Sequence, residues 1–100
     1  MKKFKNISVE FFKKNFHNSA KIIDIRDKES FISDNIPNSE NYNSSDLMKL
    51  VDSKKKNDNI IVVCYHGVSS QKVASFLIEC GFKKVYNLIG GFSEWREKNR

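Results

Sequence analysis

Strands alternating with helices along 100 residues predict an α/β fold, a central, mainly parallel sheet with helices on both faces. Three observations carry this. Ile60-Ile61-Val62-Val63 is an unbroken β-branched run, the pattern of a strand buried on both faces. Lys21-Ile22-Ile23-Asp24-Ile25-Arg26-Asp27 reads as a second such strand, ending in charge. Stretches with helical spacing separate the strands, as parallel neighbours require. A chain this long encloses one core, so a single domain over 1–100 is expected.

Taken in order, Ile7-Ser8-Val9 predicts a short first strand, with Ser8 also placed to cap the helix Glu10 to Phe16. Phe11, Phe12 and Phe16 supply its apolar contacts, and His17 lies just past it as a surface residue. In the second strand Asp24 and Arg26 share a face. Charged hydrogen bonds that tie the strand end to nearby loops are the favoured role, with direct catalysis by Asp24 the weaker alternative. Lys28 to Ser33 predicts one or two helical turns with Phe31 and Ile32 inward. Asp34 to Ser39 is a turn, since Pro37 fixes φ and asparagine tolerates turn geometry. Glu40-Asn41-Tyr42 is a brief strand, and Ser44 or Ser45 caps a helix to about Val51 whose apolar residues are Leu47, Met48, Leu50 and Val51. Asp52 to Asp58 is a solvated loop. After the central strand, Ser69 or Ser70 caps a helix with Val73, Ala74 and Leu77 on one face, ending near Cys80-Gly81. Lys84 to Leu88 is the last strand, and Ile89-Gly90-Gly91-Phe92 turns into a final helix anchored by Trp95. The double glycine allows close backbone approach beside the Cys64 loop.

Composition excludes several classes. A hydrophobic fraction of 39% with 12% aromatics suffices to fold. No apolar run approaches the ~20 residues that cross a bilayer, and Met1 to Asn6 is basic without an apolar signal core. A soluble cytoplasmic protein, with no membrane partner, is expected. The net charge of +6 comes from scattered lysines and one run, Lys54-Lys55-Lys56, with no nucleic-acid-binding motif. No nucleic-acid partner is expected, although the field would steer small anions. Cys64 and Cys80 lie at opposite ends of the predicted helix, too far apart to bridge at about 1.5 Å rise per residue. Cys80 reads as structural.

Cys64 is the candidate nucleophile. It ends a buried strand on a turn that feeds a helix N-terminus, the edge where ligands bind in open α/β sheets. A helix N-terminus favours the thiolate, the reactive form. The short loop Tyr65-His66-Gly67-Val68-Ser69-Ser70 would turn backbone N–H groups inward as a nest for negative charge, with the two serine hydroxyls as added donors. Burial of Cys64 as a small hydrophobe is the bland alternative, which the Gly/Ser loop and helix start weigh against.

These residues resemble the rhodanese family of sulfurtransferases, most closely its small bacterial single-domain thiosulfate sulfurtransferases. The resemblance runs from about Ile7 to Trp95. Its most specific part is Cys64 to Ser70. Asp24-Ile25-Arg26-Asp27, Asn35-Ile36-Pro37-Asn38-Ser39 and Leu88 to Trp95 are similar to the family's Asp-x-Arg strand end, its His-Ile-Pro-Gly-Ala turn and its Gly-Gly-x-x-x-Trp closing segment. The resemblance implies a rhodanese-like five-stranded sheet and ping-pong transfer of sulfur from thiosulfate to cyanide, a small thiol or a reduced dithiol protein, through a persulfide on Cys64. Backbone N–H groups from Tyr65 to Ser70 would hold the persulfide. No metal or organic cofactor is implied, and a monomer or weak homodimer is expected. Asn35 and Asn38-Ser39 depart from the family turn, and Val68 stands at a loop position often polar or basic in relatives. The loop then has no Arg or Lys for the substrate's sulfonate. His66 is expected to face solvent.

Other readings compete with this one. Phosphatases and arsenate reductases on this fold use Cys-x5-Arg, but Ser70 occupies the arginine position. A non-enzymatic binding module would not need the cysteine. A persulfide carrier in a protein relay needs the same loop as the enzyme.

Overall fold

The computed structural model describes residues 3–16 and 19–99. Five strands, β1 (Lys5–Ile7), β2 (Lys21–Asp24), β3 (Ser39–Asn41), β4 (Asn59–Val63) and β5 (Lys84–Leu88), alternate with five helices. The helices are α1 (Val9–Asn15), α2 (Lys28–Ser33), α3 (Ser44–Asp52), α4 (Ser69–Glu79) and α5 (Gly91–Lys98). The sheet order is β1-β5-β4-β2-β3, and every pair is parallel.

The central strand explains its own composition. β4 pairs with β2 through Ile22–Ile61 and Ile23–Val62, and with β5 through Ile60–Val85. Ile61 and Val63 face a core layer with Val9 and Phe12 of α1 and Phe92 of α5. Ile60 and Val62 face the opposite layer with Leu50 of α3 and Ala74 and Leu77 of α4. Both faces of β4 are therefore covered from Ile60 to Val63, which is why those four positions are apolar, while half-buried Asn59 at the strand's start is polar. The α/β fold with helices on both faces is observed, and the sheet is wholly parallel.

Several boundaries differ from expectation, each for a local reason. The first strand lies two residues earlier, because Ser8 accepts the Phe11 N–H at 3.0 Å and starts α1 at Val9. β2 stops at Asp24, because Asp27 caps α2 through the Ser30 N–H. β3 begins at Ser39 and ends before Tyr42. Asn43, not Ser44 or Ser45, caps α3; its side chain accepts from the Asp46 N–H while Asp46 accepts from the Asn43 N–H. Ile32, Met48 and Phe11 are exposed rather than inward, since α2 buries no residue and α3 buries Leu50 alone. His17 lies outside the described residues. Cys80 is free and half-buried at the end of α4, followed by Gly81 at φ +100°. Among the described residues no helix is long and apolar enough to cross a membrane.

Asp24 and Arg26 form a buried ion pair at the end of β2, with side chains 0% and 2% exposed. Arg26 Nε and Nη2 donate to the carboxylate at 2.8–3.1 Å, and the Arg26 backbone N–H adds a third donor. Nη2 also donates to the Asp34 carbonyl at 2.8 Å. These contacts fit the favoured sequence reading of a structural tie. Removing one member leaves the other as a buried charge without its counter-ion. Asp24→Ala is expected to lower unfolding free energy by about 3–5 kcal/mol in urea denaturation; a loss below ~1 kcal/mol would contradict this account.

Candidate active site

Cys64 follows the last residue of β4 and lies 6% exposed beneath a loop that climbs into α4. Its sulfur accepts the Gly67 N–H at 3.1 Å and the Ser70 N–H at 3.3 Å, and lies 3.1 Å from the Ser70 hydroxyl. Gly67 reaches this position at φ +80°, a conformation that disfavours any side chain. α4 has no side-chain cap: Val68 stands at its N-cap, and Ser69 and Ser70 lie inside the helix. The sulfur takes the Ser70 N–H that a capping side chain would otherwise have met.

The electrostatics favour an anion. Burial pushes the Cys64 thiol up, but hydrogen bonds from the Ser70 hydroxyl and N–H and from the Gly67 and His66 N–H groups outweigh it. The net result holds the thiol below its ordinary value.

The double glycine meets the loop as the sequence suggested. Phe92 and Ser93 N–H groups donate to the Cys64 and Tyr65 carbonyls at 2.8 and 3.0 Å. A Cβ on Gly91 would stand 2.7 Å from the Tyr65 carbonyl and 2.8 Å from the Gly67 nitrogen. Only glycine fits there.

The predicted loop residues separate into two groups. Gly67 and Ser70 are buried around the sulfur, whereas Tyr65, His66, Val68 and Ser69 are exposed. The expectation that both serines serve the sulfur is corrected: only the Ser70 hydroxyl reaches it. Tyr65 turns away from the sulfur, its hydroxyl 3.1 Å from the Ser30 hydroxyl and its ring 5.3 Å from the Arg26 guanidinium. His66 faces solvent as expected. Asn87 of β5 was not singled out in the sequence. It is 1% exposed, bonds the Ser70 hydroxyl through Oδ1, and donates from Nδ2 to the Gly67 carbonyl at 3.1 Å. A signal existed: Asn87 shares a strand face with Val85, an inward position where an apolar residue is normal.

Comparison with known proteins agrees with this architecture. The rhodanese-like domain family matches residues 8–98. A protein of Shewanella oneidensis named thiosulfate sulfurtransferase GlpE is 41% identical over 100 residues, covering 99% of each chain. One of the same name from Coxiella burnetii is 43% identical over 75 residues, 75% of this chain and 70% of its own. The crystal structure of a rhodanese-like domain protein from Staphylococcus aureus superposes with a TM-score of 0.79 at 29% identity, covering 92% of this chain and 91% of its own.

The depressed thiol carries a pH signature. Because the acid form is disfavoured, the thiolate persists to a lower pH than in free cysteine. In a Cys80→Ser background, the rate of Cys64 alkylation by iodoacetamide is expected to rise with pH to a half-maximum below the ordinary value of about 8.5. A midpoint at or above that value would contradict the cradle.

Proposed function

The chain belongs to the rhodanese-like domain family, and on that premise we propose that it is a thiosulfate sulfurtransferase working through a Cys64 persulfide. The observation that carries this is the cradle of Gly67 and Ser70 N–H groups on the Cys64 sulfur at the start of α4. The names of relatives similar over most of the chain support the substrate.

In the first half-reaction the Cys64 thiolate attacks the outer sulfur of thiosulfate. A bond forms between the two sulfurs; the outer sulfur's bond to the sulfonate sulfur breaks, and its electron pair leaves with sulfite. Charge balances, because a persulfide anion replaces the thiolate as one dianion replaces another. In the second half-reaction cyanide, a small thiol or a reduced dithiol protein attacks the terminal sulfur. The electron pair of the broken bond then returns to Cys64 as thiolate. Gly67 and Ser70 hold the sulfur charge through both halves. Tyr65 braces the loop against Ser30 and Arg26, His66 contributes its backbone N–H to the sulfur, and exposed Val68 and Ser69 frame the mouth that the acceptor reaches.

The loop supplies no cation, and Arg26 is committed to Asp24. Thiosulfate is therefore drawn by the field of a chain with net charge +6 rather than by an ion pair. The same lack sets aside phosphate-ester chemistry, whose oxyanion needs the bidentate arginine that Ser70 replaces. The mouth is apolar at Tyr65 and Val68, 46% and 70% exposed. That favours a protein acceptor and supports, as a second reading, a persulfide carrier loaded by another protein. We place the protein in the cytoplasm as a monomer or weak homodimer.

Incubation with thiosulfate is expected to add one sulfur atom to the intact mass, lost on cyanide and absent in Cys64→Ser. No gain in the wild-type protein would sink thiosulfate as donor and leave the carrier reading. Turnover on thiosulfate is also expected to fall as ionic strength rises through the range where the Debye length shrinks below about 10 Å. Salt-independent kcat/KM would refute steering of thiosulfate by the net charge.

A further inference from the structure

Behind the sulfur lies a hydrogen-bonded chain whose directions can be deduced. The Gly67 carbonyl only accepts, so the Asn87 atom 3.1 Å from it is Nδ2. Nδ2 donates as well to Asn6 Oδ1 of β1 at 2.9 Å, and Asn87 Oδ1 is thereby turned to the Ser70 hydroxyl. Oδ1 also only accepts. Ser70 has a single hydroxyl proton, and in this arrangement that proton points at Asn87. Towards Cys64, 3.1 Å away, Ser70 then presents a lone pair, which suits a thiol S–H and not a thiolate.

We propose that Asn87 is a positioning residue that acts on Cys64 through Ser70, holding the Ser70 proton away from the sulfur until the sulfur becomes an anion. In the thiol state the relay runs from Cys64 S–H to Ser70 oxygen and from Ser70 O–H to Asn87 Oδ1, with every group satisfied. When Cys64 ionises or carries the persulfide, the Ser70 hydroxyl rotates and donates to sulfur. Asn87 Oδ1, 1% exposed, then loses its partner. The competition weakens the help that the Ser70 hydroxyl gives the anion, because the bond to sulfur is made at the loss of the one to Asn87 Oδ1. It thereby tempers the reactivity of the resting thiol. No covalent bond changes in the switch; a single hydroxyl rotates.

The relay rests on the sulfurtransferase reading only for the meaning of the persulfide state. The charged and titratable side chains around the loop are Tyr65 and His66 within it, Lys72 on α4, Glu94 beside Gly90, Tyr86 on β5, and the Asp24–Arg26 pair. None of them hydrogen-bonds the sulfur through its side chain, which leaves Ser70 as the side-chain route to it.

Asn87→Leu removes the acceptor at similar volume. The Gly67 carbonyl keeps its bond from Gln71 Nε2 at 2.9 Å, and Asn6 is exposed and can turn to water. In a Cys80→Ser background, the Cys64 alkylation midpoint is expected to fall by about one pH unit in Asn87→Leu. It is expected to stay unmoved by the same change when Ser70 is already Ala. Equal shifts in both backgrounds would mean a merely structural Asn87, and no shift or an upward one would refute the relay outright. A second readout uses the unaltered Asn87. Its side-chain carbonyl ¹³C resonance should titrate with the Cys64 midpoint and stay flat in Ser70→Ala. A resonance flat in the wild-type protein, or one that still titrates in Ser70→Ala, would also overturn the proposal. Neither readout needs turnover. A missing persulfide would therefore remove the sulfurtransferase reading and leave the relay standing, whereas failed titrations would do the reverse.

Discussion

The grip of the α5 N-terminus on the Cys64 and Tyr65 carbonyls is the constraint on which the site depends. A helix leaves its first N–H groups without partners, and in α5 those of Phe92 and Ser93 are met by the two carbonyls at 2.8 and 3.0 Å. With its carbonyls drawn to that side, the loop turns the Gly67 and Ser70 N–H groups to the other, where the sulfur lies. The loop is thus held between two helix ends. α5 takes its carbonyls, and α4 offers an amide to the anion. The close approach this requires leaves no space for a Cβ on Gly91 or on Gly67, whose Cβ would stand 2.8 Å from both the Gly90 nitrogen and the Leu88 carbonyl.

The same end of the sheet is braced from below. The Arg26 guanidinium lies 3.9 Å from the Phe92 ring centroid and 5.3 Å from that of Tyr65, so the buried Asp24 pair supports both α5 and the loop. Stacking on an aromatic face suits a planar, weakly hydrated guanidinium better than it would an ammonium. An arginine buried in this way is a structural part rather than a spare cation for substrate. Among the described residues, the sulfur is therefore met by oriented N–H groups and a hydroxyl rather than by a cationic side chain.

Much of this was legible in the chain because it is local. β4 is apolar on both faces because both are covered, and Ile60 to Val63 says so directly. Asn38 adopts φ +70° in the turn where an asparagine was expected to tolerate such geometry. Less legible were the helix starts. At Asn43 and Val68 the winner was a neighbour's side chain or a sulfur three-dimensionally close, and propensity sees neither. Inward faces of short helices were misread for a related reason. In α2 the bound on burial is the lack of a partner element, so Ile32 remains 68% exposed whatever its hydrophobicity.

By itself, then, the sequence determined the alternation of strand and helix, the burial of the central strand, and the place of Cys64 at a strand end before a helix. Each follows from hydrophobic period and backbone chemistry within a few residues. Only the tertiary structure decided which groups meet the sulfur. Gly67 and Ser70 were near in sequence, but Tyr65 and Ser69 were equally near and do not reach it. The Gly91 approach and the Asn87 relay join β4, α4, β5 and α5 across the sheet. Their partners lie 17 residues apart or more, so the parallel register of β5 beside β4 had to exist before Asn87 could face Ser70.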